Sequence, residues 1–149
     1  MFTKILFAVI LIALLLTACG GSLATMANIP IYPDVKEISP SESGLFAGLT
    51  QIAKNDQALQ RILTGKERKI YRLPNNAVWA DVKLYYEKQM DKAQWQIVPG
   101  SSALLERVNL PSDISAYQTT TWVRGSQTLS IAFVTSPGFV ELFVGLASP

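Results

Sequence analysis

Apolar and polar positions divide the chain into three regimes: an unbroken apolar run near the start, a middle with helical spacing, and a final third that alternates. In the middle, Ser39-Pro40-Ser41-Glu42 has the form of a capping box with proline at the first helical position. Leu45, Leu49, Ile52, Leu59, Ile62 and Leu63 follow at approximate helical spacing up to Gly65, where a glycine cap is expected. The pattern predicts a first helix that starts after the Ser39 cap, with Pro40 at its first position, and runs up to Gly65. A second is predicted over 77–93, capped by Asn75 or Asn76. Val78, Val82, Tyr85, Tyr86, Gln89, Met90 and Ala93 form its packing face, and Lys83, Glu87, Lys88, Asp91 and Lys92 its wet side.

The remaining elements read as strands. Ile70, Tyr71 and Leu73 predict one over 69–73, stopped by Pro74, and a short one over 94–98 carries Trp95 as a sheet cover before Pro99-Gly100. Further strands are expected over 104–108, 116–124, 128–135 and 139–147. Gly125-Ser126 and Pro137-Gly138 are hairpin-turn dipeptides, so the last three should form an antiparallel meander. Along 139–147, Val140, Leu142, Val144 and Leu146 alternate with Phe139, Glu141 and Phe143. One sheet face can bury against the Tyr85-Tyr86 helix, and the other is apolar enough to need cover from the first helix or a partner. The fold class expected is α+β, a small single domain with two helices packed on an antiparallel sheet.

The opening run carries an address. Lys4 gives a positive start, and Ile5 to Leu16 form an apolar core of about a dozen residues, short of the roughly 20 that span a bilayer. Leu16-Thr17-Ala18-Cys19 then resembles the lipobox of bacterial lipoproteins. That resemblance implies a diacylglyceryl group on the Cys19 sulfur, cleavage between Ala18 and Cys19, and acylation of the new amine by palmitate or a similar chain. Gly20 and Gly21 suit a flexible start, and Gly20 in place of Asp resembles the pattern that permits transfer to the outer membrane. The expected organisation is a signal peptide over 1–18, a lipidated cysteine and extended tether over 19–38, and the α+β domain over 39–149. Within the tether, Ile29-Pro30-Ile31-Tyr32-Pro33 is biased to extended geometry, with Ile31 and Tyr32 expected to dock on the domain.

The exported part also resembles small uncharacterised envelope lipoproteins. The order of the Ile29-to-Pro33 segment, Leu73-Pro74, the helix with Val82 and Tyr85-Tyr86, Trp95, and Trp122-Val123-Arg124-Gly125 carries the likeness. In that group the aromatic helix ends in Gly-Trp, whereas Gln94 stands here for the glycine, and 42–65 looks inserted. The likeness implies the fold and brings no active site with it.

Composition narrows the chemistry. Lys and Arg number 13 against 11 Asp and Glu, a balance that argues against a nucleic-acid partner. With no histidine, the commonest general base and metal ligand is missing, and one cysteine cannot form an intramolecular disulfide. The carboxylates show no calcium-loop spacing, and there is no phosphate-cradling glycine loop and no nucleophile elbow. No catalytic, cofactor or metal site is expected. The candidate partner or ligand surface comprises Trp79 and Trp122, which the helix stripe does not force inward, with Arg61, Lys66, Arg68 and Lys69 at the basic end of the first helix. The expected role is binding at an envelope membrane, as an accessory or assembly subunit of a larger membrane complex. The alternative is a module for a small or carbohydrate ligand. The place expected is the extracytoplasmic face of the cytoplasmic membrane or, in a two-membrane organism, the outer membrane.

Overall fold

The computed structural model describes residues 22–44, 46, 50, 67–100 and 115–148. Six antiparallel strands form one sheet: β1 (Lys36–Ile38), β2 (Glu67–Arg72), β3 (Gln96–Ile97), β4 (Ala116–Arg124), β5 (Gln127–Ser136) and β6 (Phe139–Ala147). Their spatial order is β1-β2-β6-β5-β4-β3. The expected meander is present: β4 leads into β5 through Gly125-Ser126, and β5 into β6 through Pro137-Gly138. Gly125 has φ +58, the left-handed conformation that a two-residue hairpin asks of its first turn residue. The architecture is α+β with an antiparallel sheet.

One α-helix, α1 (Trp79–Lys92), is complete among the described residues. Val82, Tyr86 and Met90, spaced one turn apart, are its buried stripe. They meet Trp122, Leu129, Ile131, Phe133, Leu142 and Val144 in the main core. The first of the two expected helices falls mostly outside the described residues; of those described, Gly44, Phe46 and Thr50 have helical backbone. Its start differs from the expectation. The Ser39 box closes a single 3-10 turn, Pro40–Glu42, and Ser43 makes the next cap by accepting the Phe46 N–H at 2.9 Å. The strand expected over 104–108 also lies outside the described residues.

The ends of α1 correct two further details. Its N-cap is Val78, not an asparagine, and no side chain caps it. At the other end Gln94 takes φ 61. Its N–H bonds the Asp91 carbonyl at 3.0 Å and the Trp95 N–H bonds the Met90 carbonyl at 2.9 Å, the paired bonds of a Schellman motif. Trp95 and Met90 share the core, closing that motif with an apolar contact. A side chain in the left-handed region is strained, so Gln94→Gly is expected to stabilise the protein by about 1 kcal/mol, measured as a higher urea midpoint.

The segment before β1, read from the chain as tether, packs from Ala24 onward. Ala24 and Ile29 are buried in the main core. Tyr32 stands edge-on to Tyr85 at 5.3 Å, Tyr85 edge-on to Tyr86 at 5.3 Å, and Tyr86 tilts against Trp122 at 6.5 Å. This row runs from the N-terminal segment through the helix to the sheet. Ile31 docks through its backbone: its carbonyl accepts the Tyr85 hydroxyl at 2.7 Å while its side chain stays exposed.

Burial raises the Tyr86 phenol well above its ordinary value of 10.0, and raises Tyr71 in the same direction. The unfolded chain therefore ionises near pH 10 while the native core keeps its protons. This stabilisation is complete below that value and is lost as pH rises beyond it. The urea midpoint is expected to hold steady to about pH 9 and to fall above about pH 10, more shallowly in Tyr86→Phe.

Candidate functional site

Three local arrangements carry polar chemistry. At the first, where β4 turns into β5, the N-terminal segment is clamped to the sheet. Register pairs Arg124 with Gln127, placing Gln127 on the same face as Leu129 and Ile131, under the incoming chain. Gln127 is 1% exposed, and its amide forms a closed pair with one residue. The Ala24 N–H donates to Gln127 Oε1 at 2.8 Å, and Gln127 Nε2 donates to the Ala24 carbonyl at 2.8 Å. The side chain thus supplies the two bonds that a neighbouring strand would supply. Arg124 adds a bond from Nη2 to the Ser22 carbonyl at 3.4 Å and lies 5.0 Å over the Trp95 ring. Glu67, at the same end of β2, accepts the Met26 N–H at 3.0 Å.

The second arrangement lies on the opposite face. Glu141, pointing away from α1, has no exposed surface. Its Oε1 pairs with Arg72 Nη2 at 2.7 Å and its Oε2 accepts the Ser43 hydroxyl at 2.7 Å. The Gly44 N–H approaches Oε1 at 3.3 Å, and the same Arg72 nitrogen reaches the Glu42 carbonyl at 2.9 Å. A Cβ on Gly44 would clash with the Phe139 ring, so glycine is what lets this corner close. Ile70, Ala132, Val134 and Phe143 form the apolar remainder of the face, and Phe46 packs against them. The Ser39 N–H and hydroxyl both bond Glu42, which holds that carboxyl below its ordinary range.

The third is a groove of about 450 Å³ between the end of α1 and β3, lined by Glu87, Asp91, Trp95, Gln96, Ile97 and Trp122. Two carboxylates stand beside two indoles there.

The surface expected from the chain is not one surface. Trp122 is corrected outright: it is 2% exposed, because its register with Leu129 turns it under α1. Trp79 is half-buried, its ring 5.9 Å from Phe133. Arg68 lies 4.8 Å over the Phe46 ring on the back of the sheet. Lys69 emerges on the other face and bonds Glu37 at 2.8 Å, which raises its pKa. Arg61, Lys66, Ala18 and Cys19 lie outside the described residues.

No protein-family model, curated protein or solved structure matches the chain. Among the described residues no three of His, Cys, Asp and Glu gather as a metal site, and no helix is long and apolar enough to cross a membrane.

Gln127, Glu141, Arg72 and Ser43, which organise the first two arrangements, were not candidates from the chain alone. Glu141 carried a signal, since a carboxylate inside Phe139-Val140-Glu141-Leu142-Phe143 must find a partner or leave the sheet. Gln127, beside a turn, carried none.

Proposed function

We propose that the protein is a bacterial envelope lipoprotein, anchored through lipidated Cys19 and acting by binding as an accessory or assembly subunit of a larger membrane complex. The observation that carries the reading is the Leu16-Thr17-Ala18-Cys19 motif directly behind a short apolar run. The close attachment of Ser22 and Ala24 to the sheet supports it, because an anchor there would hold the domain itself and not a loose tail. In this reading the expected first helix begins after Ser43, where Phe46 packs on the back of the sheet, and its other side meets the partner. Two acyl signals are enough for stable anchoring, at about 0.8 kcal/mol per buried methylene.

The test is acyl labelling and mass measurement of the native protein beside Cys19→Ala. The native chain is expected to begin at Cys19 with an acyl mass and to float with membranes. Cys19→Ala is expected to keep residues 1–18 and to take up no label. A native chain that starts at Met1 with a bare thiol would end the proposal. Crosslinking in intact cells then tests the subunit role, which predicts a recurrent adduct with an integral membrane protein.

The groove beside Trp95 favours a second reading, a module for a small or carbohydrate ligand. Its Glu87 and Asp91 carboxylates accept hydrogen bonds from sugar hydroxyls, and the exposed Ile97 side chain offers an apolar wall beside them. This reading predicts a rise in melting temperature with cell-wall glycan fragments that is lost in Asp91→Ala.

A further inference from the structure

On the reading that Cys19 carries the lipid, we infer that the domain stands on the bilayer in one orientation. The β4–β5 hairpin end faces the headgroups, and the β5–β6 turn points away. The argument begins with length. Ser22 is held by Arg124 and Ala24 by Gln127 at the hairpin end of the sheet. Only three residue steps separate Ser22 from Cys19, which span at most about 11 Å. The headgroup layer of one leaflet is itself about 5–8 Å deep. The leash therefore scarcely exceeds the layer it crosses, whereas a nine-residue strand such as β6 runs about 30 Å. The opposite end of the sheet lies beyond the leash.

The groups at the hairpin end agree with this placement. Leu23, directly after the leash, leaves 59% of its surface in solvent. Arg124 stands beside it, bonding the Ser22 and Ala93 carbonyls, and Lys92 ends α1 at the same corner. An exposed leucine flanked by cations suits a layer with apolar depth and anionic phosphates. Among the described residues the carboxylates of that end are Asp91 and Glu67, the latter occupied by the Met26 N–H. At the far end the exposed charges are mixed, Asp34 and Asp81 with Lys36, and Ile31 and Val78 are exposed there too, so it is the length of the leash that decides the orientation.

The experiment uses the full lipidated chain in vesicles of phosphatidylethanolamine and phosphatidylglycerol. Lipidation consumes the Cys19 thiol, so one added cysteine gives one label site: Ser126→Cys in the hairpin turn, or Asn76→Cys between β2 and α1. Both positions are exposed and lie at opposite ends of the sheet. A thiol-attached fluorophore is read against lipids carrying a headgroup nitroxide. Quenching is expected to be several-fold stronger at position 126 than at 76. Inserting about twenty Gly and Ser residues between Gly21 and Ser22 should bring the two sites to parity. Equal quenching in protein that floats overturns the orientation and leaves the lipid anchor standing. Contrast that survives the insertion overturns the leash as its cause. Protein that carries no acyl mass and fails to float removes the anchor and the orientation together.

Discussion

Arg72→Met is expected to destabilise the fold by about 3–5 kcal/mol, read from urea unfolding, because it takes the guanidinium from a fully buried carboxylate. Glu141 sits at the back of the sheet with no exposed surface, 2.7 Å from Arg72. Desolvating a carboxylate is costly, and the fold recovers that cost through the ion pair and the bond from Ser43. Arg72 is half-exposed, so a variant lacking Glu141 leaves a cation that water can still reach. Arg72→Met should therefore be worse than Glu141→Leu, and the double variant should recover a large part of the loss. A double variant as unstable as the sum of the two singles would show that the pair is not coupled.

Trp122→Ala is expected to cost about 3–5 kcal/mol by the same measurement, the range for removing a buried large aromatic. The indole fills the space between Tyr86 on the helix and Leu129 on the next strand, and it belongs to the core that also holds Ile131 and Met90. A loss below about 1 kcal/mol would mean that the ring lies on the surface, where surface substitutions have effects of that size or smaller.

Trp122 also illustrates where the chain alone was ambiguous. In the run Ala116-Tyr117-Gln118-Thr119-Thr120-Thr121-Trp122 one face carries Ala116, Gln118, Thr120 and Trp122 and the other Tyr117, Thr119 and Thr121, so neither is plainly apolar. The face is decided by pairing with Leu129, a partner that periodicity within one strand does not reveal. By contrast, β4 and β6 occupy the expected residues and β5 extends them by one at each end, because β-branched runs bounded by Gly-Ser and Pro-Gly leave little freedom. Helix α1 was legible for a similar reason: its apolar stripe recurs at one spacing over its whole length. β1 was not, since three residues, Lys36-Glu37-Ile38, are too few to show alternation and owe their strand state to β2.

The polar arrangements were the least legible. A glutamine next to a hairpin turn looks like a wet residue until the N-terminal chain is laid over it, and the Ser39 capping box looks like the start of a long helix although it closes a single turn. In both places a local motif is reinterpreted by a segment distant along the chain. The Arg68 and Lys69 pair shows the same limit. Adjacent cations in sequence suggested one basic patch, and the strand period sends them to opposite faces, one over Phe46 and one to Glu37.

The clamp on Ala24 has a consequence for the order of events during synthesis. Ala24 and Gln127 are separated by 103 positions, so the earliest-made part of the domain finds its seat only when nearly all of the chain has emerged. Closing so long a loop is entropically unfavourable until the hairpins shorten it. The seating of Ser22 and Ala24 against the sheet is thus a late step of folding, one that waits for β4 and β5 to pair.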